Sequence, residues 1–126
     1  MPGSQLLKGD RLTAAISAAM VELYSECYGH HRTTANTYIN DNVVVCVLEG
    51  ILSTNESELI EQGRSKEVIN GRVAFQESAE DDFTEAIERL TRRRVVAFLS
   101  ANQTDPGVAS ELFFLEAPPP AGAEVT

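Results

Sequence analysis

Glu26, Cys27, His30 and His31 stand close together and offer a carboxylate, a thiol and two imidazoles, the donor types that hold zinc. The imidazoles could also sense protons, because they titrate near neutrality. A zinc shell needs a second pair of ligands at a recognisable spacing, and this chain has only these two histidines. The stretch therefore reads as the loop that leaves a helix, and neither a metal nor a cofactor is expected. Cys46 is a second candidate. A cysteine nucleophile needs an accessible, electropositive setting with a base in reach. Cys46 instead lies between Val45 and Val47 and reads as a small apolar filler in a buried strand.

Carboxylates are plentiful between Glu77 and Glu88, but they recur around the exposed face of a helix, with no pocket to raise a pKa. Neither Gly29-His30-His31 nor Gly50-Ile51-Leu52 has the glycine spacing or the lysine of a phosphate-binding loop. No catalytic set emerges. Arg72 is the remaining charge of interest, because it lies beside the apolar phase of a long helix. A buried guanidinium requires a carboxylate, a carbonyl or a bound anion. An internal ion pair would meet that need. So would a ligand site in which His30, His31, Arg32, Arg72 and Asp105 form a partly basic pocket.

Charge narrows the partners. Nineteen acidic against ten basic residues give a formal charge of −9, which repels phosphate backbones and anionic lipid over most of the surface. Nucleic acid is not expected as a partner. The basic cluster Arg92-Arg93-Arg94, with Arg89 a turn earlier, follows the acidic run and reads as the C-terminal end of a helix, where cations favour the dipole. No apolar run approaches the roughly 20 residues that span a bilayer, and the first residues show no signal-peptide core, so a cytoplasmic location is expected without membrane insertion. Two cysteines in unlike contexts make no disulfide framework.

The elements that carry these residues follow from periodicity. Ile16, Met20, Leu23 and Cys27 recur at helical spacing, which predicts a helix from Asp10 or Leu12 to Tyr28, stopped by Gly29. Thr34 to Ile39, the turn residues Asn40-Asp41-Asn42, and the β-branched run Val43 to Leu48 predict a hairpin whose second strand is covered on both faces. Ser53-Thr54-Asn55-Glu56 is a capping box and predicts a short helix to Gln62, ended by Gly63. Ile69, Val73, Gln76, Phe83, Ile87 and Leu90 share one phase, predicting a helix from Ser65 to Leu90. Gly71 weakens it, and Ser78 ahead of Asp81 allows a kink near Glu77. Val95 to Ser100 and Glu111 to Leu115 read as strands around the turn signal Thr104-Asp105-Pro106-Gly107.

The order is α-β-β-α-α-β-β. It predicts an α+β two-layer sandwich, a four-stranded and mainly antiparallel sheet with helices on one face. At 126 residues, one core is sufficient. Residues 10 to 116 form that unit, while residues 1 to 9 and the Pro/Ala-rich residues 117 to 126 are expected to be mobile. Strands apolar on both sides need a second cover, and another copy of the chain would supply it.

Several motifs in this order resemble the MpsC-like family, formerly a domain of unknown function. They are the helix ending at Gly29, the strand Val43-Val44-Val45-Cys46-Val47-Leu48-Glu49-Gly50, the helix start Leu52-Ser53-Thr54-Asn55-Glu56, Gly63-Arg64, and Arg72 ahead of Phe75-Gln76. Val95 to Ser100, Asp105-Pro106 and Glu111 to Glu116 are similar to its closing signature. The likeness covers nearly all of residues 10 to 116. It implies a cytoplasmic accessory protein of a sodium-translocating, membrane-potential-generating system linked to inorganic carbon supply, with no catalytic residues to carry over. Family members usually have a Gly-basic-Gly-Pro turn after the first helix. Here Gly29-His30-His31-Arg32 keeps the first glycine and a basic side chain and lacks the second glycine and the proline.

Three functional expectations follow. The first is a non-enzymatic, self-associating accessory or regulatory protein, with a membrane transporter subunit as a further partner. The second is a small-anion or small-ligand sensor using the five residues named above. The third is an enzyme with an unfamiliar site.

Overall fold

A computed structural model describes residues 8–28, 33–104 and 106–117, and of Cys27 and Tyr28 only the backbone. The expected mobile ends lie almost entirely outside these residues. The elements are α1 (Gly9–Tyr28), β1 (Thr34–Asn40), β2 (Val43–Glu49), α2 (Thr54–Glu61), α3 (Ser65–Thr91), β3 (Val95–Thr104) and β4 (Gly107–Leu115). The four strands form one antiparallel sheet in the order β1-β2-β4-β3, so the two hairpins lie side by side with β2 against β4. Helix α1 packs on β1 and β2, and α3 on β3 and on α1. Both lie on the same face of the sheet, giving the α+β arrangement that the sequence predicts.

Local chemistry sets the boundaries. The β1–β2 turn is Asp41-Asn42, with Asp41 at φ 56°, a left-handed conformation that a short polar side chain tolerates. Ser53 and Glu56 form the capping box in full: Glu56 N–H donates to Ser53 Oγ (3.1 Å) and Ser53 N–H to Glu56 Oε1 (2.9 Å). Gly63, at φ 78°, follows α2. Helix α3 runs unbroken through Glu77 and ends at Arg92, itself left-handed at φ 60°. Arg93 then donates to the carbonyls of Asp41 (3.0 Å) and Glu116 (3.2 Å), pinning the ends of both hairpins.

Three differences from the sequence reading have physical causes. Tyr24 is fully buried beside Ile16 and Met20, while Leu23 is only partly so, because the Tyr24 hydroxyl finds a buried acceptor. Strands β3 and β4 run through Ala101 to Thr104 and Gly107 to Ser110, past the apolar stretches, because the backbone ladder continues to the Thr104–Gly107 pair. In α3, Phe83 and Ile87 are buried as expected, but Ile69 and Val73 are 41% and 46% exposed. The first half of the helix turns Val68 and Arg72 inward instead. It is rotated so that Arg72 reaches its acceptors on the α2 side.

Gly71 lies exposed in this first half, and a methyl added there would meet nothing within 4 Å. Gly71→Ala should therefore stabilise the fold by about 0.5–1 kcal/mol through backbone entropy alone. The expected readout is a higher urea midpoint at unchanged slope. A lower midpoint would mean that this glycine has a packing role.

Candidate functional site

The sheet presents two unlike faces. Its inner face packs Val44, Cys46, Leu48, Ala109, Phe113 and Leu115 against Ile16, Met20, Tyr24, Phe83 and Ile87. A chain of ring contacts crosses the core, Tyr24 to Phe83 (6.1 Å between centroids), Phe83 to Phe98 (5.9 Å) and Phe98 to Phe113 (5.0 Å). The outer face is covered by no element among the described residues. Its central row is Tyr38, Val45, Leu112 and Leu99, and the next is Asn40, Val43, Phe114 and Ala97. Tyr38 and Leu99 are 60% and 58% exposed, and Val45, Leu112 and Phe114 are half-buried. Among the outward positions of these rows and their two neighbours, the only carboxylate is Glu49, at the end of β2, and none is Lys or Arg. In a chain of charge −9, the charge is gathered on the helices and this face is left almost neutral.

Beneath it, one inner row is polar: Thr37, Cys46, Glu111 and Ser100 stand side by side across the four strands. Ser17 on α1 shares a hydrogen bond with Thr37 (2.7 Å). Tyr24 O–H donates to Glu111 Oε2 at 2.6 Å. Burial pushes the Glu111 carboxyl up from its ordinary range, while Ser100, Tyr24 and Arg72 pull it down. Burial also pushes the Cys46 thiol up to about 11, against a lowering contact with Thr37. That thiol is protonated at neutral pH and is no nucleophile.

Arg72 closes the network from α3. It is 2% exposed and grips Glu56 side-on, Nε to Oε2 at 2.9 Å and Nη2 to Oε1, while Nη2 also donates to the Ile51 carbonyl. Its guanidinium carbon lies 5.8 Å from the Tyr24 ring centre. Glu56 thus caps α2 and neutralises Arg72 at once. The internal ion pair that the sequence offered for Arg72 is present, with Glu56 as its partner.

His30, His31, Arg32 and Asp105 lie outside the described residues, and so does the turn that departs from the family pattern. Their described neighbours converge. Thr33 Oγ1 donates to the Gly50 carbonyl (3.0 Å), Arg72 binds the next carbonyl, that of Ile51, and Pro106 and Gly107 line an apolar cleft of about 560 Å³ with Gly50, Ile51 and Leu52. Gly107 sits so near Leu52 that a methyl there would come within 2.7 Å of its Cγ. Among the described residues no group of three or more His, Cys, Asp or Glu could hold a metal ion. No helix among them is long and apolar enough to cross a membrane.

Sequence reasoning missed Glu111 and Tyr24 as members of a site. The signal for Glu111 was its parity: it shares the strand face of Ala109, Phe113 and Leu115, so a carboxylate had to be buried or the strand misread. The signal for Tyr24 was its place four residues after Met20.

No curated protein and no solved structure matches the chain. One family model does, over residues 8–117, and it describes the Na+-translocating membrane potential-generating system (MpsC). With nearly the whole described chain inside that match, this protein belongs to the MpsC family.

Proposed function

We propose that the chain is a non-enzymatic accessory protein of the Na+-translocating system that names its family, acting in the cytoplasm as a self-associated unit. The open outer face of the sheet carries this reading. Two copies can approach through it without bringing their acidic helices together, since those helices lie on the far side of each sheet. Four strands at about 4.8 Å and seven residues at about 3.3 Å give a footprint on the order of 450 Å² per copy. About 900 Å² in total is at the low end of specific interfaces, which fits association in the micromolar range rather than a permanent dimer. A membrane transporter subunit is the further partner, and inorganic carbon supply the process served.

Deleting the gene should lower the sodium-dependent membrane potential, and the wild-type chain should restore it. A variant with lysine at both Val45 and Leu112 should not. Full restoration by that variant would separate the function from the sheet face.

A second reading, a small-anion or small-ligand sensor at His30, His31, Arg32, Arg72 and Asp105, is favoured by the convergence of Thr33, Pro106 and Arg72 on Gly50–Leu52. The commitment of Arg72 to Glu56 weighs against its serving as the anion ligand. Thermal shifts with bicarbonate and phosphate test it: stabilisation by either, abolished in Arg32→Ala, supports the sensor, and no shift with any anion removes it. An enzyme with an unfamiliar site has no comparable observation in its favour.

A further inference from the structure

Glu111 is the one member of the buried polar row that can carry a charge near neutral pH, and its surroundings do not balance that charge. It is 1% exposed. The cation that reaches it is Arg72, which Glu56 already neutralises through a two-point contact. An ionised Glu111 would therefore add a net negative charge to an interior of aliphatic and aromatic side chains, a costly arrangement. The other groups facing it are Tyr24 from α1, the protonated thiol of Cys46 from β2, and neutral hydroxyls from Thr37 on β1 and Ser100 on β3.

The hydrogen bonds point the same way. Tyr24 O–H occupies Oε2, whereas Glu111 Oε1 and Ser100 Oγ are both buried without a well-formed hydrogen bond among the described residues. These two residues are direct cross-strand partners. A proton on Oε1 serves both atoms at once: the carboxylic O–H donates to Ser100 Oγ, and Oε2 goes on accepting from Tyr24. The ionised form leaves the buried Oε1 to one neutral donor, the Ser100 hydroxyl, which pulls the carboxyl down less than burial pushes it up.

We infer that Glu111 is a proton-binding site built into the core, held as the neutral acid at neutral pH, whose ionisation loosens the helical layer over the sheet. The sign follows from linkage. A carboxyl that binds its proton more tightly folded than unfolded gives its full stability below the ordinary carboxyl range, and that stability is lost as pH rises from there through the folded value. The consequence is a fold that weakens toward alkaline pH through one identified group.

Two measurements on the full chain test it. With carboxyl carbons of glutamate labelled, NMR titration should show one glutamate that keeps its proton well above the usual carboxylate range, and Glu111→Gln should remove that signal. In urea unfolding, the wild-type folding constant should fall by up to about tenfold per pH unit across this window, the limit for one proton. Glu111→Gln, neutral at every pH and able to donate to Ser100, should flatten that dependence. A wild type in which every glutamate ionises in the usual range would overturn the proposal, and so would an equal pH slope in both proteins. Should the variant not fold, the wild-type titration decides by itself.

Discussion

Replacing Arg72 with alanine should cost about 3–5 kcal/mol of stability, the range for removing one partner of a buried ion pair. The loss has three parts on the molecule. Glu56 keeps its carboxylate beside the end of α2 with one neutralising contact gone, the Ile51 carbonyl loses a charged donor, and the space between α2, α3 and Tyr24 is left unfilled. Glu56→Gln alone leaves the guanidinium without its counter-charge and should also be severe, although a glutamine can still complete the capping box. The informative variant is the double one, Arg72→Met with Glu56→Gln, which removes both charges and keeps volume. It should recover at least about 1–2 kcal/mol relative to the summed losses of Arg72→Met and Glu56→Gln made singly, read as a coupling energy from urea midpoints. Additive losses would show that the pair acts only by filling space. Because Arg72 holds α2 to α3, hydrogen exchange in Arg72→Ala should rise first in Thr54–Glu61.

How far this site was legible in the sequence depends on which residue is asked about. Arg72 was visible as a charge beside an apolar helical phase, and the requirement for a carboxylate or carbonyl followed from burial. The identity of that carboxylate was not, because Glu56 already had a sufficient local role in the capping box, and nothing in the spacing showed that both its oxygens also meet Arg72 on α3. The strand order β1-β2-β4-β3 was likewise open: two hairpins were plain from the turn signals Asn40-Asp41-Asn42 and Thr104-Asp105-Pro106-Gly107, whereas their meeting edge is set by packing under α1 and α3. Glu111 reads as a charged start to an apolar strand until the strand is seen to begin at Gly107, which puts Glu111 in the core parity. The exposure of Ile69 and Val73 was hidden for the converse reason, since helical periodicity gives a phase but not which half of a long helix lies over the sheet.

Placing lysine at Val45 and Leu112 together should abolish self-association while leaving the monomer folded. These residues are cross-strand partners at the centre of the outer face, half-buried by their neighbours rather than by the core, so each can raise its ammonium group into water in the monomer. The cost to folding should stay within about 1–2 kcal/mol, as the strands keep their ladder and their inner residues. In a face-to-face dimer the same two ammonium groups from each copy would meet across an apolar layer with no carboxylate opposite. Desolvation and like-charge repulsion would then weaken binding by well over about 100-fold. Glu49, at the end of β2 and two rows from Val45, is too far away to pair with them. Circular dichroism and urea midpoints separate the two effects. A variant that remains folded and still associates would place the interface elsewhere, for example along the free edge of β1 or β3, which these substitutions do not touch.

Sedimentation velocity of the full chain, from about 1 to 200 µM at neutral pH, bears on the uncovered sheet face most directly, because this span brackets the association expected for an interface of that size. The face-to-face arrangement predicts a mass rising from 13.7 kDa toward twice that value as concentration increases, with the lysine pair held at 13.7 kDa throughout. A wild-type chain that stays at 13.7 kDa over the whole range would mean that no second copy covers the face, and the proposal of a self-associated accessory protein would fall.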